Sequence, residues 1–400
     1  MPDAVIVATA RTPIGRAMKG SLVDCRPDDL TAQIISAVLA KVPELSPREV
    51  EDVMIGCGQP AGEAGYNVAR VAAILAGLDV PGVTVNRYCS SSLQTIRMAS
   101  HAIQAGEGHV FVAGGVETVS RFGQGASDTG SHNVAFADAE RRTAERAPAV
   151  TLPWTPIDGL PDVYIAMGQT AENVVEAEKV SREDQDEFAC RSQQLAVASQ
   201  ENGFFEREIT PVETPSGTVV SKDDGPRAGT TIEGLAALKP VFREGGTVTA
   251  GNACPLNDGA AAVVVMSSTR AQELGITPLA RIISSGVSAL DPEIMGLGPI
   301  GASRQALERA GMTIDDIDLV EINEAFAAQV IPSARHLGIP IDKLNVKGGS
   351  IALGHPFGMT GARIMTTLLN ALEDEDKTFG LETMCVGGGQ GMAMIVERLS

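Results

Sequence analysis

One order of apolar runs occurs twice in this 400-residue chain, and that repeat restricts the fold more than any other feature. The first copy reads as strand Ala4–Thr9, helix Asp28–Lys41, strand Asp52–Gly56 and helix Tyr66–Ala76. It continues through Val83–Arg87, a turn at Cys89, a helix near Ser91–Ala105 and strand His109–Ala113. The second copy reads as strand Ala280–Gly286, helix Ser303–Ala310, strand Leu319–Ile322 and helix Ala325–Leu337. Then come Leu344–Val346, a turn at His355, helix Thr360–Leu372, strand Phe379–Met384 and a last strand Met392–Glu397. Local wording agrees: Ser46-Pro-Arg-Glu-Val-Glu-Asp-Val53 and Thr313-Ile-Asp-Asp-Ile-Asp-Leu319 both read as cap, acidic turn, strand.

The closing strand of the first copy, Ala260–Met266, arrives late. The intervening stretch has another texture: loop-like Arg121–Asp158, helix-like Gln169–Glu178 and Asp184–Asn202, and Pro/Gly/Thr-rich Thr210–Thr231. It reads as an inserted loop domain. The expected division is a first half over 1–115 and 251–272, an insert over 116–250, and a second half over 273–400. Strands alternating with helices imply α/β layers with mostly parallel sheets. A site built from both halves would sit where they face each other.

Hydrophobic residues make up 44 %, aromatics only 4 %, and there are 43 glycines, which suits close-packed helix-on-sheet layers. A net charge of −19 argues against general nucleic-acid binding but leaves room for an anionic ligand held by a few local cations. Six cysteines without a CxxC pair read as free thiols in a reducing compartment. Ala4-Val-Ile-Val-Ala8 lacks the shape of a signal peptide, and no apolar run approaches a membrane span. The C-terminal Glu-Arg-Leu-Ser is not a peroxisomal tripeptide, so the expected location is cytoplasmic.

Three reactive side chains stand in Gly- or Ser-rich settings. Cys89 lies where a strand-like run passes into a helix, in Val85-Asn-Arg-Tyr-Cys-Ser-Ser-Ser-Leu93. A lone cysteine is more often a buried filler. At a helix start, however, unpaired N–H groups and the positive dipole end favour its thiolate. His355, in Gly354-His-Pro-Phe-Gly358, is set apart from the other four histidines by its Gly-dense turn and following proline. Both hold a ring at a defined loop position, which suits a general base better than a satisfied core histidine. Cys385 ends a strand before Gly387-Gly-Gly-Gln-Gly391, which lacks GxGxxG spacing. The run reads instead as backbone donors, Gly387 among them, aimed at a developing oxyanion. Asn323-Glu-Ala-Phe326 fits a helix cap, and Asn323 is also able to hold a water or donate to a thioester carbonyl. Together these residues suggest acyl chemistry through a cysteine thioester. GxxxxGK[ST], HExxH, GxSxG and metal-ligand spacings are absent from the sequence, so no metal is expected.

These motifs resemble one family over nearly the whole chain, the thiolases (acetyl-CoA C-acyltransferases). The resemblance rests on Arg11-Thr-Pro-Ile-Gly15, Asn86-Arg-Tyr-Cys-Ser-Ser-Ser92, Gly114-Gly-Val-Glu117, Thr249-Ala-Gly-Asn252, Asn257-Asp-Gly259, Asn323-Glu-Ala-Phe326, Gly354-His-Pro356 and Cys385-Val-Gly-Gly-Gly389, in family order. It implies a thiolase fold, two duplicated α/β halves in a layered αβαβα arrangement with the inserted loop domain. It implies that Cys89 takes the acyl group and that His355 deprotonates it, holding the thioester oxygen with a water on Asn323. Cys385 would protonate the acetyl-CoA carbanion, and the N–H groups of Cys89 and Gly387 would form a second oxyanion hole. Arg227 would meet the adenine and phosphate end of coenzyme A, with Met167, Ala253 and Phe326 along the pantetheine path. Coenzyme A is thus a substrate, no cofactor is permanently bound, and a homodimer or homotetramer is expected. Ala166 stands where the biosynthetic branch resembles His-Met-Gly, which suggests a roomier acyl pocket and a degradative 3-ketoacyl-CoA thiolase. Cys254 stands where many relatives carry serine, which would weaken one hydrogen bond to coenzyme A. The alternatives are an acetoacetyl-CoA thiolase, a decarboxylating condensing enzyme, or a non-catalytic acyl-CoA-binding protein. The condensing enzyme needs no cysteine at 385, and the binding protein need not keep all four reactive residues.

Overall fold

A computed structural model describes residues 2–147 and 154–400. The first copy comprises β1 (Ala4–Arg11), β2 (Gly15–Arg16), α1 (Pro27–Ala40), β3 (Asp52–Gly56), α2 (Val68–Leu75), β4 (Gly82–Val85), α3 (Ser91–Ala105) and β5 (Val110–Thr118). The insert holds α4 (Ala137–Arg146), α5 (Met167–Glu178), α6 (Arg182–Glu201), the hairpin β6 (Val212–Glu213) and β7 (Val219–Val220), and α7 (Ile232–Ala236). β8 (Asn257–Ser267) closes the first copy, and α8 (Ser268–Leu274) leads to the second. The second copy comprises β9 (Ala280–Ala289), α9 (Gly298–Ala310), β10 (Leu319–Ile322), α10 (Ala327–Leu337), α11 (Ser350–Leu353), α12 (Thr360–Asp374), β11 (Phe379–Val386) and β12 (Gln390–Arg398).

The duplication is visible in the sheet itself. Strand order runs β1-β8-β5-β3-β4 in one half and β9-β12-β11-β10 in the other, the latter extended by a single parallel bridge from Val320 to Leu344. Corresponding neighbours pair in the same sense in both halves: antiparallel, antiparallel, then parallel. Only Val5 and Ile6 of β1, facing Arg281 and Ala280 of β9, join the halves into one hydrogen-bonded sheet.

One apolar core fills both faces of the middle helical layer, and one more lies under the helices on each outer side. β8 shows why: Ala261, Val263 and Val265 face α3 and α12 in the middle, whereas Ala260, Ala262, Val264 and Met266 face α1 and α2 outside. Successive strand side chains point to opposite faces, so a strand buried on both reads as a continuous apolar run. α9 and α10 cover the outer face of the second half.

Four local expectations are corrected. The sheets are not mostly parallel: β8 and β12 run antiparallel to both neighbours, and the tight turn from β11 to β12 is short enough only for an antiparallel pair. Residues 344–346 form one bridge rather than a strand. Within the loop-like 121–158, α4 is helical, while residues 148–153 lie outside the described residues. Asn323 does not cap α10, whose N-cap is Phe326. The expected cap at Thr313 is present as a reciprocal capping box with Asp316.

Candidate active site

The two repeated turns meet in the middle layer. Gly361 and Ala362, at the start of α12, touch Leu93 and Ser92 at the start of α3, with Ala362 N–H donating to Ser92 Oγ at 2.9 Å. Cys89 and His355 each lie just before one of these helix starts. Asn323 leaves the C-terminal end of β10 and donates its backbone N–H to Thr383 O of β11 at 3.0 Å. Cys385 follows two residues later on β11.

Cys89 is buried in a single 3₁₀ turn, Tyr88–Ser90, and Tyr88 takes a positive φ of 41°. A non-glycine residue there is strained, and strain of this kind gathers at functional sites. The backbone N–H groups of Gly387 and of Cys89 itself point at the sulfur. Burial nevertheless outweighs them and pushes the thiol up to about 11. Cys89 precedes α3 by two residues, and the dipole there does not overcome desolvation.

His355 is also fully enclosed. Burial, and secondarily the nearby Arg363 cation, press its pKa down to about 3, so the ring is neutral. Its Nδ1 lies 2.6 Å from Thr360 Oγ1, whose own proton goes to Pro356 O at 2.8 Å. That assigns the ring proton to Nδ1 and leaves Nε2 as the unprotonated nitrogen, the one able to act as a base. Asn323 Nδ2 donates toward Nε2 at 3.3 Å. The His355 backbone N–H donates to Asn257 Oδ1 at 3.0 Å, and Phe357 packs edge-on against the ring.

Cys385 has no exposed surface, and its thiol is raised by burial and then by the nearby Cys89 and Cys254 sulfurs. Cys254, half-buried, lies beside the same two sulfurs. Met167, Ala253 and Phe326 pack in one apolar cluster with Cys385. Ala253 bridges Phe326 backbone to backbone, and Cys254 N–H donates to Ala325 O at 3.0 Å. Phe242 stands edge-on to Phe326, and a Cβ on Gly168 would meet the Phe242 ring at 2.1 Å. Arg227 is exposed and stands apart from the reactive groups. It lines a cleft with Arg16, Gln193, Leu235, Leu238 and Ile351. Among the described residues neither Arg16 nor Arg227 forms an ion pair.

Several supporting residues have no sequence signal of their own. Thr360, Ser350 and Arg363 reach the site only through the fold. Glu117 and Asn257 lie in family-like motifs, but their partners are distant. Glu117 accepts N–H groups from Gly58 (2.7 Å), Gln59 (3.1 Å) and Gly358 (2.9 Å), tying the His355 loop to the first half. Burial raises its carboxyl to about 7 against those donors. Among the described residues no group of His, Cys, Asp or Glu could hold a metal ion, and no helix is long and apolar enough to cross a membrane.

The seam of the two repeated α/β halves thus gathers a thiol beside two backbone donors, a second thiol and a neutral imidazole, a set of groups able to carry out acyl transfer. Residues 4–269 match the family model described as thiolase, N-terminal domain, and residues 276–398 match thiolase, C-terminal domain. The chain belongs to the thiolase family. It is 44 % identical over 409 aligned positions to a 3-ketoacyl-CoA thiolase of Aeromonas salmonicida, covering all of both chains. It is 45 % identical over 410 positions to a β-ketoadipyl-CoA thiolase of Acinetobacter baylyi, again over both full lengths. Among solved structures, the acetyl-CoA acetyltransferase of Bacillus anthracis superposes with a TM-score of 0.85 at 40 % identity, covering 100 % of this chain and 99 % of that one.

Proposed function

We propose that this enzyme cleaves 3-ketoacyl-CoA with free coenzyme A, giving acetyl-CoA and a shortened acyl-CoA in fatty-acid β-oxidation. The observation behind this reading is the pair of thiols: Cys89 under the N–H groups of Cys89 and Gly387, and Cys385 buried against it. Cys89 sulfur attacks the keto carbon while its proton passes to His355 Nε2. Protonated His355 and Asn323 Nδ2, through a water it would hold, then both donate toward the developing oxyanion. The Cα–Cβ bond breaks, the acyl group stays on Cys89 as a thioester, and the acetyl-CoA carbanion takes its proton from Cys385. In the second half-reaction the coenzyme A thiol gives its proton to the Cys385 thiolate and attacks that thioester, with the oxyanion between the Cys89 and Gly387 N–H groups, and the departing Cys89 sulfur recovers its proton from His355. Because the resting thiol and imidazole are both neutral, the first proton moves as the C–S bond forms rather than before it.

In this reading the insert over 116–250 holds coenzyme A. Arg227 faces its adenine and phosphate end, with Arg16 as a second cation. Met167, Ala253, Cys254 and Phe326 line the pantetheine path toward Cys385. The enzyme works in the cytoplasm as a homodimer or homotetramer. The 40 % identical acetyltransferase supports a second reading, condensation of two acetyl-CoA molecules.

The test is CoA-dependent loss of enolate absorbance with substrates from acetoacetyl-CoA to long chains, β-ketoadipyl-CoA included. Activity rising with chain length supports the degradative reading, and activity on acetoacetyl-CoA alone moves the enzyme to condensation. Absence of activity on every substrate returns a non-catalytic acyl-CoA-binding protein. Cys89→Ala is expected to abolish turnover and acyl-enzyme formation. Cys385→Ala should slow the carbanion step yet leave acyl transfer to Cys89 measurable by intact-protein mass.

A further inference from the structure

Arg363 is among the most enclosed side chains in the protein, with 1 % of its surface exposed. Its Nε and Nη1 have no hydrogen-bond partner among the described residues. Its Nη2 donates to Ser350 Oγ at 2.7 Å. Ser350 in turn sends its only proton to Asn323 Oδ1 at 2.7 Å, and Asn323 Nδ2 faces His355 Nε2 at 3.3 Å. A buried guanidinium is costly to desolvate and usually meets a carboxylate partner. Here the carboxyls of Glu321 and Glu382 lie near enough to act on it electrostatically, yet no hydrogen bond joins either to the guanidinium. Its one hydrogen bond starts a line of three that ends at the imidazole.

We propose that Arg363, acting through Ser350, is a positioning residue that fixes which end of the Asn323 amide faces His355. This rests on the proposed thiolytic chemistry. The logic is one of hydrogen-bond polarity. The hydroxyl of Ser350 accepts from Arg363 and therefore donates onward, so Asn323 must present Oδ1 to it. The amide NH₂ is thereby committed to the reaction side, where it and a protonated His355 are two convergent donors. Without Arg363 the Ser350 hydroxyl is free to turn and accept from Asn323. The amide then flips and sets an acceptor where the oxyanion forms. The same cation disfavours a charged imidazole, consistent with the lowered pKa of His355.

Three variants test this: Ser350→Ala, Arg363→Met and Arg363→Lys. Ser350→Ala removes the relay without changing charge or adding bulk. We expect kcat to fall about ten- to a hundredfold with KM for coenzyme A unchanged. Arg363→Met should do the same and also move the acidic limb of the kcat/KM profile to higher pH. Arg363→Lys, which keeps charge and one donor, should recover most of the rate. The neutron structure of Ser350→Ala, in which amide nitrogen and oxygen are distinct, should show the Asn323 amide no longer fixed with Nδ2 toward His355. That readout needs no activity, so it separates this inference from the functional reading. Wild-type kcat in Ser350→Ala, or an amide that keeps its orientation there, overturns the positioning role. So does an Arg363→Met variant whose only change is a smaller folded fraction, measured by circular dichroism.

Discussion

At Cys89 burial and hydrogen bonding oppose each other. Two N–H groups favour the thiolate, desolvation disfavours it more, and the thiol ends near 11. His355, pressed to about 3, offers no cation to reverse that balance. Alkylation of Cys89 in the free enzyme, followed by peptide mass spectrometry, should therefore speed up about tenfold per pH unit between 7 and 10. A rate flat across that range would mean a preformed thiolate–imidazolium pair. Glu117 acts on the same site from a distance. Its carboxylate accepts three backbone N–H groups from two loops, which an amide oxygen alone cannot match. Glu117→Gln should lower stability by about 1–3 kcal/mol in chemical denaturation and lower kcat by loosening the His355 loop.

At the scale of elements, the turn between β11 and β12 sets the position of the Gly387 donor. Gly388 and Gly389 both take positive φ, 76° and 78°. A Cβ on Gly388 finds space, whereas one on Gly389 meets Leu290 O at 2.3 Å and Pro292 N at 2.7 Å. Gly388→Ala should cost about 1 kcal/mol of stability and leave kcat close to normal. Gly389→Ala should lose more in both thermal unfolding and turnover, because backbone must shift and carry the Gly387 N–H with it. Helices and strands are legible in the sequence here wherever a periodic run has clear ends: β3, β10 and α3 occupy the expected residues. Strand direction is not legible, because β8 returns to the sheet only after the long insert. The reactive residues stand out by their turns. Their supports do not, because Thr360 and Ser350 are ordinary residues until folding places them beside His355 and Asn323.

Across the whole molecule, the middle layer encloses more carboxyl groups than its charge can comfortably bear. Burial lifts Glu321 to about 8 despite the Arg363 cation, and Glu382 rises as well. The folded-state value of Glu321 lies above the ordinary carboxylate range. Its stabilising effect is therefore complete below about 4.5 and is lost as pH rises through about 8. Melting temperature should decline from about pH 5 to about pH 8, and Glu321→Gln should flatten that decline. An unchanged slope in the variant would place the pH sensitivity elsewhere.

The two halves share strand order and strand sense, yet the reactive groups are divided between them. Cys89 belongs to the first copy; Asn323, His355, Cys385 and Gly387 belong to the second. Repetition usually makes one copy a spare for the other. Here neither copy is a spare: a lesion in the Cys89 turn has no substitute at the His355 turn, although the two occupy equivalent places in the fold. The duplication has become a single point of failure at each end, and the seam between the copies is the one place where the enzyme is whole.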